Sequence, residues 1–311
     1  MTLRNPIIPS TSKREADLFA WLEERTNEAR ANTERRAAET PKQMFLPGFE
    51  IGALPNHLNR SSLIAPIARR QRKFHHQTVM VARRDCVLEY TGEQLDEADG
   101  DLVMALIAFA QPHPLGTPVP LNRAELLRTM HRATGKHDYD WLHRRIKALT
   151  EATLFLEARK PDGTVRYSIG KTISFRIISD FRYDENTETY NYTIDPRWVQ
   201  IFGNREFARI DWDKRMQIRR GQDMAKALQR LVATSSDQVQ RYALGWLKGK
   251  MQYGGRMRDF RNALDSACIE LERLEVIVKH QFETSDKGEP QLAVWRQHTR
   301  PHRDSVAPPS G

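Results

Sequence analysis

The chain has 311 residues, 39% of them hydrophobic and 29% charged, and its 49 Lys plus Arg against 40 Asp plus Glu leave a formal charge of +9. That length holds two ordinary domains, the composition is that of a globular chain rather than a disordered or fibrous one, and the excess of cations points to a polyanionic partner such as nucleic acid. The longest apolar run, Leu102 to Ala110, is too short to span a bilayer, and Met1-Thr2-Leu3-Arg4-Asn5 lacks the apolar core of a signal peptide. The expectation is therefore a cytoplasmic protein with no membrane partner.

Residues 1–78 read as an N-terminal arm and linker. From Lys13 to Glu39 the run is rich in Ala, Glu and Arg, with Leu18, Trp21 and Leu22 as its main apolar content, too little for an independent core. Pro41 ends it. An apolar island, Gln43-Met44-Phe45-Leu46-Pro47-Gly48-Phe49, follows, and then a basic linker with Arg69, Arg70, Arg72 and Lys73.

A first domain is expected over residues 79–202. Val87 to Thr91 reads as a strand, Asp99 to Gln111 as a buried helix with Asp99 or Asp101 near its start, and Asn122 as the cap of a short helix from Arg123 to about Met130. Ala133-Thr134-Gly135 makes a turn, and a second helix runs from about Asp138 to Glu151. Two short helices joined through a glycine turn are helix-turn-helix organisation. In the second, Leu142, Ile146 and Leu149 share one face, while Lys136, His137, Tyr139, Asp140, His143, Arg144 and Lys147 are left for another. A recognition helix needs this division: an apolar stripe to anchor it, and cations and aromatics for phosphates and base edges. A solvated amphipathic helix has the same pattern. Leu154 to Glu157 and Val165 to Ser168 read as strands around Arg159-Lys160-Pro161-Asp162-Gly163, a wing that carries Arg159, Lys160 and Arg166. Strands Thr172 to Ile178 and Thr189 to Ile194 are expected to extend that sheet.

A second domain, residues 203–300, repeats the plan. Gln222 to Ala233 and Val239 to Met251 read as helices, the latter with Tyr242, Leu244, Trp246 and Leu247. After Gly254-Gly255 a long helix runs from Arg256 to Leu274, with Phe260, Leu264, Ala267, Leu271 and Leu274 as a buried stripe. Arg258, Arg261, Asn262 and Asp265 lie off the stripe near its N-terminus, the end that enters a major groove in such motifs. Val276 to His280 and Leu292 to Trp295 flank Asp286-Lys287-Gly288 as a second wing, which brings Lys279 and Lys287. Residues 301–311, rich in Pro and Ser, read as a disordered tail. The fold class expected is α+β: two tandem winged-helix domains with a flexible charged N-terminal arm.

No catalytic or metal site is legible, and no cofactor is implied. Gly245-Trp246-Leu247-Lys248-Gly249-Lys250-Met251 has three residues between its glycines where a phosphate loop has four, and Met251 stands where Ser or Thr would meet magnesium. His75-His76 are adjacent, so the metal clamp of nicking replication enzymes is missing. Asp99 and Asp101 fit helix capping better than a two-metal site. Cys86 and Cys268 read as two buried thiols. The expectation is a protein that is not an enzyme.

Several short motifs, in their order and spacing, resemble the TrfA-type plasmid replication initiators. They are Tyr90-Thr91-Gly92-Glu93-Gln94-Leu95 with Asp99 to Val103, Pro114-Leu115-Gly116, Gly135-Lys136 before Tyr139, and Arg256, Arg258, Phe260 and Arg261. The resemblance covers residues 43–295; Arg219 to Met224 departs from the family pattern. It implies binding of double-stranded DNA at direct repeats (iterons) of a plasmid origin, opening of an AT-rich region, and recruitment of the host DnaA, the replicative helicase and the sliding clamp. It also implies a monomer that initiates and a homodimer that restrains copy number. Sliding-clamp ligands lead with Gln and place apolar groups behind it; Gln43, Met44, Leu46 and Phe49 resemble that pattern, and the alternative is that the apolar three cover the first domain's surface. A winged-helix transcriptional repressor is the competing function.

Overall fold

The computed structural model describes residues 24–25, 44–46, 48–67, 72–83, 85–160, 162–170, 174–184, 189–202 and 206–296. The first elements in chain order are β1 (Ala53–Pro55), α1 (Asn56–Arg60), β2 (Phe74–Val79), β3 (Cys86–Glu93), α2 (Glu97–Ala110), β4 (Pro118–Leu121), α3 (Arg123–Thr129), α4 (Lys136–Glu151), β5 (Thr153–Arg159), β6 (Val165–Ile169), β7 (Asp180–Asp184) and β8 (Thr189–Thr193). They continue with α5 (Trp198–Phe202), β9 (Phe207–Arg209), α6 (Trp212–Met216), α7 (Asp223–Val232), β10 (Val239–Ala243), α8 (Leu244–Lys250), α9 (Met257–Arg273), β11 (Lys279–Thr284) and β12 (Pro290–Trp295). This is an α+β fold of two tandem winged-helix domains. Residues 1–23, 26–43, 68–71 and 297–311, with most of the expected arm, Arg69, Arg70 and the whole tail, lie outside the described residues.

In the first domain the apolar run of α2 is buried from Leu102 to Ile107. Asp96 caps it: its carboxylate accepts from the Asp99 amide at 3.0 Å, and Asp99 returns the bond to the Asp96 amide at 2.9 Å. The cap thus lies three residues before Asp99, because a capping box pairs the first and fourth positions. In α3, Asn122 accepts from the Glu125 amide at 3.1 Å, as its position in the sequence implies. Asn122→Ala should lower the free energy of unfolding by about 1 kcal/mol in urea titrations, and an unchanged midpoint would show that the cap is idle. Leu142, Ile146 and Leu149 of α4 are each fully buried.

The strands depart from expectation in two ways. The wing β5–β6 pairs on its inner side with β3, and β2 continues that sheet in the order β2-β3-β5-β6. β8 does not extend it. It pairs with β4 and β7 in a separate sheet, and residues 174–178 hold one isolated bridge, Phe175 to Leu154, rather than a strand. Gly170 explains the break: at φ +90° its Cβ position would lie 2.2 Å from the Leu154 carbonyl oxygen, so the chain turns there through a conformation only glycine holds.

Residues 44–67, expected in the arm and linker, belong to the first core. Leu46, Ala53, Leu54, Leu58, Leu63 and Ile64 are buried, and β1 pairs antiparallel with β9 through Ala53–Arg209, Leu54–Ala208 and Pro55–Phe207. Short apolar groups scattered among polar residues carry no periodic signal, so the sequence alone left this segment outside the core.

The second domain has the order α7, β10, α8, α9, β11, β12, with the sheet β10-β12-β11. The expected helix from Val239 is a strand to Ala243 and a helix from Leu244. Tyr242 and Trp246 fall at helical spacing, but the strand pairs with β12 in full register. The stripe of α9 is as expected, with Phe260, Leu264, Ala267 and Leu271 fully buried and Leu274 nearly so. The return strand starts at Lys279 rather than Val276, because 276–278 bend around the end of α9.

Candidate nucleic-acid interface

On α4 the residues that face solvent are Lys136, His137, Asp140, Arg144, Lys147 and Glu151. Spacings of four, four and three residues place Lys136, Asp140, Arg144 and Lys147 along one side, opposite the buried stripe. The helix starts at Lys136 after Gly135 as its N-cap, and Arg132 fixes the preceding turn: its guanidinium reaches Asp138 at 3.1 Å and stacks over Trp141 at 3.7 Å.

Two residues expected on that face are engaged elsewhere. His143 is half-buried; its Nδ1 lies 3.3 Å from the Tyr190 hydroxyl, and its ring meets Phe181 and Tyr183 edge-on. Tyr139 is half-buried under the Arg123 guanidinium at 4.7 Å, which also covers Tyr190 at 4.4 Å. The hairpin β7–β8 thus occupies the flank of α4 that the sequence assigned to DNA. The sequence could not show this, because the aromatics that cover His143 lie some forty residues further on.

The first wing turns at Asp162-Gly163, where the Asp162 carboxylate accepts from the Thr164 amide at 2.8 Å and Gly163 sits at φ +85°. Lys160 is exposed at this tip. Arg159 is held by Glu157 at 2.8 Å, and Arg166 is paired with Glu206 while remaining partly exposed. These two cations are therefore partly neutralised before any partner arrives.

At the start of α9, Arg256 and Arg258 are wide open, with side chains 87% and 82% exposed, and both lean toward Asp259 at 3.8 Å. Arg261 stacks over Phe282 of the wing at 4.5 Å, and Asn262 is exposed beside it. Lys279 lies over Trp295 at 4.4 Å, and Lys287 is exposed at the wing turn, where Gly288 adopts φ +79°. His280 binds wing to helix: its two ring nitrogens reach Glu272 at 2.7 Å and Asp265 at 3.0 Å. Burial alone would lower its pKa, but hydrogen bonds to the two carboxylates outweigh it and raise it, as a doubly donating imidazolium requires.

Arg145, which the sequence reading passed over, is buried between these exposed neighbours and bonded to Asp99 and Glu93. Its signal was present, because it falls between Leu142 and Leu149 on the apolar side of α4, and a cation there demands an acid partner. Arg182 of β7, with its side chain 74% exposed beside α4, is a second basic group outside the expected set; it pairs with Asp180 at 2.8 Å.

The apolar island is resolved differently from the clamp-ligand expectation. Gln43 lies outside the described residues, and Met44 is exposed, but Leu46 is 5% exposed and Phe49 stacks on Phe202 at 5.0 Å between centroids. Leu46 is part of the first core and Phe49, half-buried, packs against it. Among the described residues no cluster of His, Cys, Asp and Glu could hold a metal ion, and no helix is long and apolar enough to cross a membrane.

The fold resembles a crystal structure of domains 2 and 3 of RctB, with a TM-score of 0.51 and 13% identity, over 76% of this chain and 95% of that one. A second crystal structure of these domains gives 0.49 and 13%, over 78% and 96%. At such identity the first likeness establishes the fold alone. No family model matches the chain, and no curated protein matches it.

Proposed function

We propose that this protein is a replication initiator that binds directly repeated sites (iterons) at a plasmid origin through both winged helices, promotes opening of an adjacent AT-rich region, and gathers the host DnaA and replicative helicase. The observation that carries the reading is the pair of recognition helices, α4 and α9, each with a buried apolar stripe behind it and an exposed basic face in front: Lys136, Arg144 and Lys147 on one, Arg256, Arg258 and Arg261 on the other. Domains 2 and 3 of RctB share this fold. The motifs that resemble TrfA initiators point the same way. In this reading, contacts from two helices and two wings supply affinity and DNA distortion, and the protein makes and breaks no covalent bonds.

Selection of bound duplexes from a random-sequence pool tests it. Recovery of tandem direct repeats supports an initiator, a single inverted site favours a repressor, and recovery of no enriched sequence removes the DNA-reading assignment. On the recovered duplex, Arg144→Ala, Lys147→Ala and Arg258→Ala should each weaken binding, by about 1–3 kcal/mol where a base contact is lost, or lower the salt slope by about one where a phosphate contact is lost. Fluorescence anisotropy across a salt series reads both. Supercoiled plasmid carrying the site should stay supercoiled with the protein and magnesium; a nick with protein covalently attached would instead make it an enzyme.

A further inference from the structure

Residues 96–101, the cap and start of α2, are acidic at four of six positions, Asp96, Glu97, Asp99 and Asp101, and these groups face two different directions. Toward the first domain, Asp99 accepts from Arg145 of α4 through Nε at 2.6 Å and Nη2 at 3.0 Å, and Glu93 accepts from its Nη1 at 2.5 Å. Arg72 closes this side, on Asp99 at 2.6 Å and on Asp96. Toward the second domain, Glu97 accepts from Arg230 at 2.6 and 3.0 Å and from Arg215 at 2.9 Å. Asp101 accepts from Arg215 and, at 2.5 Å, from Lys226. Glu97, Asp99, Arg215 and Arg230 are completely buried. Arg230 and Lys226 belong to α7, and α7 packs directly on α9.

The connection therefore runs from one recognition helix to the other without a solvated gap: α4 through Arg145 to α2, and α2 through Glu97 and Asp101 to α7 and α9. An apolar contact between domains tolerates sliding, since the hydrophobic effect has no direction. A guanidinium held by two acceptors fixes angle as well as distance. Buried ion pairs of this kind add little net stability compared with apolar packing, and where they are retained they can specify one arrangement. Burial pushes the Glu97 carboxyl up, but Arg230 and Arg215 outweigh it and hold it down at about 2, so Glu97 stays ionised at physiological pH.

We propose that Glu97 and Asp101 are positioning residues that lock the two recognition helices into one rigid reading head with a fixed separation and rotational phase. The rigidity stands on the contacts above; that the head reads DNA rests on the function proposed here. A rigid head requires both parts of its site at one spacing on the duplex, and insertion of half a helical turn between them breaks bipartite contact.

Pulsed electron–electron spin resonance without DNA tests the rigidity separately from any binding. Spin labels at Glu151→Cys on α4 and Ile269→Cys on α9 are both on exposed positions, and the native Cys86 and Cys268 are buried and out of reach of the label. The parent should give a single narrow distance peak. Glu97→Gln should broaden or split it while near-ultraviolet circular dichroism shows both cores intact, and Glu97→Asp should restore part of the narrow component. A broad peak in the parent, or an unchanged narrow peak in Glu97→Gln, overturns the proposal. Should Glu97→Gln fail to fold, Lys226→Met, which removes one contact at a side chain 18% exposed, must still broaden the peak; an unchanged peak there also overturns it.

Discussion

Replacing Leu46 and Phe49 together by alanine is expected to lower the free energy of unfolding by about 4–7 kcal/mol, the combined cost of truncating one buried and one half-buried core side chain. Leu46 lies within the first core, and Phe49 sits between Phe202 at 5.0 Å and Phe207 at 5.5 Å. Its backbone is bracketed by a single side chain: the Phe49 amide donates to Gln111 Oε1 at 2.8 Å, and Gln111 Nε2 donates to the Phe49 carbonyl at 2.7 Å. Because the two side chains share a core, the double variant need not equal the sum of the singles. Urea denaturation followed by tryptophan fluorescence measures the loss. A midpoint within error of the parent would mean that the segment detaches at little cost, which would return it to the role of a peptide ligand for the sliding clamp.

The second large effect concerns Lys250, at the end of α8. Its side chain is fully buried, and among the described residues no acceptor lies within hydrogen-bonding distance of its amine. Burial, reinforced by the nearby Arg230 charge and opposed only by Glu97, brings its pKa down to about 7 from the ordinary 10.5. Between those values the unfolded chain binds a proton that the folded one does not, so this residue makes stability rise with pH from about 7 to about 10.5, and its penalty is greatest at and below pH 7. Lys250→Met keeps the apolar stem and removes the amine. It should stabilise the protein by several kcal/mol at pH 7, with the advantage shrinking steadily toward pH 10. Paired urea titrations of parent and variant at pH 6, 7, 8, 9 and 10 give the difference at each point. A difference that does not change with pH would show that the amine is hydrated and titrates normally.

The expected and observed elements agree where one periodic signal dominates and part where two compete. The stripe of α9, repeating at four, three, four and three residues, could form only one structure, and it did. The segment from Val239 to Lys250 carries apolar groups compatible with either period, and its glycines, Gly245 and Gly249, fall inside the helical part rather than at the boundary; pairing with β12 made its first five residues a strand. The candidate interface divides in a similar way. Arg144, Lys147 and Arg258 were legible because they lie opposite apolar stripes in their own helices. The engagement of His143 by Tyr190, and of Arg166 by Glu206, depends on residues 47 and 40 positions away, which no local pattern relates.

By itself, then, the sequence determined the two-domain plan, the helices α4 and α9, the Asn122 cap of α3 and the wing turns, because each of these is set by contacts within a few residues: a helical period, an Asn cap, an Asp-Gly turn. Only the tertiary structure decided that residues 44–67 complete the first core, that β7–β8 covers one flank of α4, and that the two domains are joined through buried charge. The partners in that junction, Glu97 with Arg215 and Arg230, are 118 and 133 residues apart. Acids at the start of a helix satisfy its own amides just as well as they satisfy a distant arginine. Local chemistry therefore gave those acids a sufficient reason to be there, and only the folded chain, by excluding water around them, gave them a second.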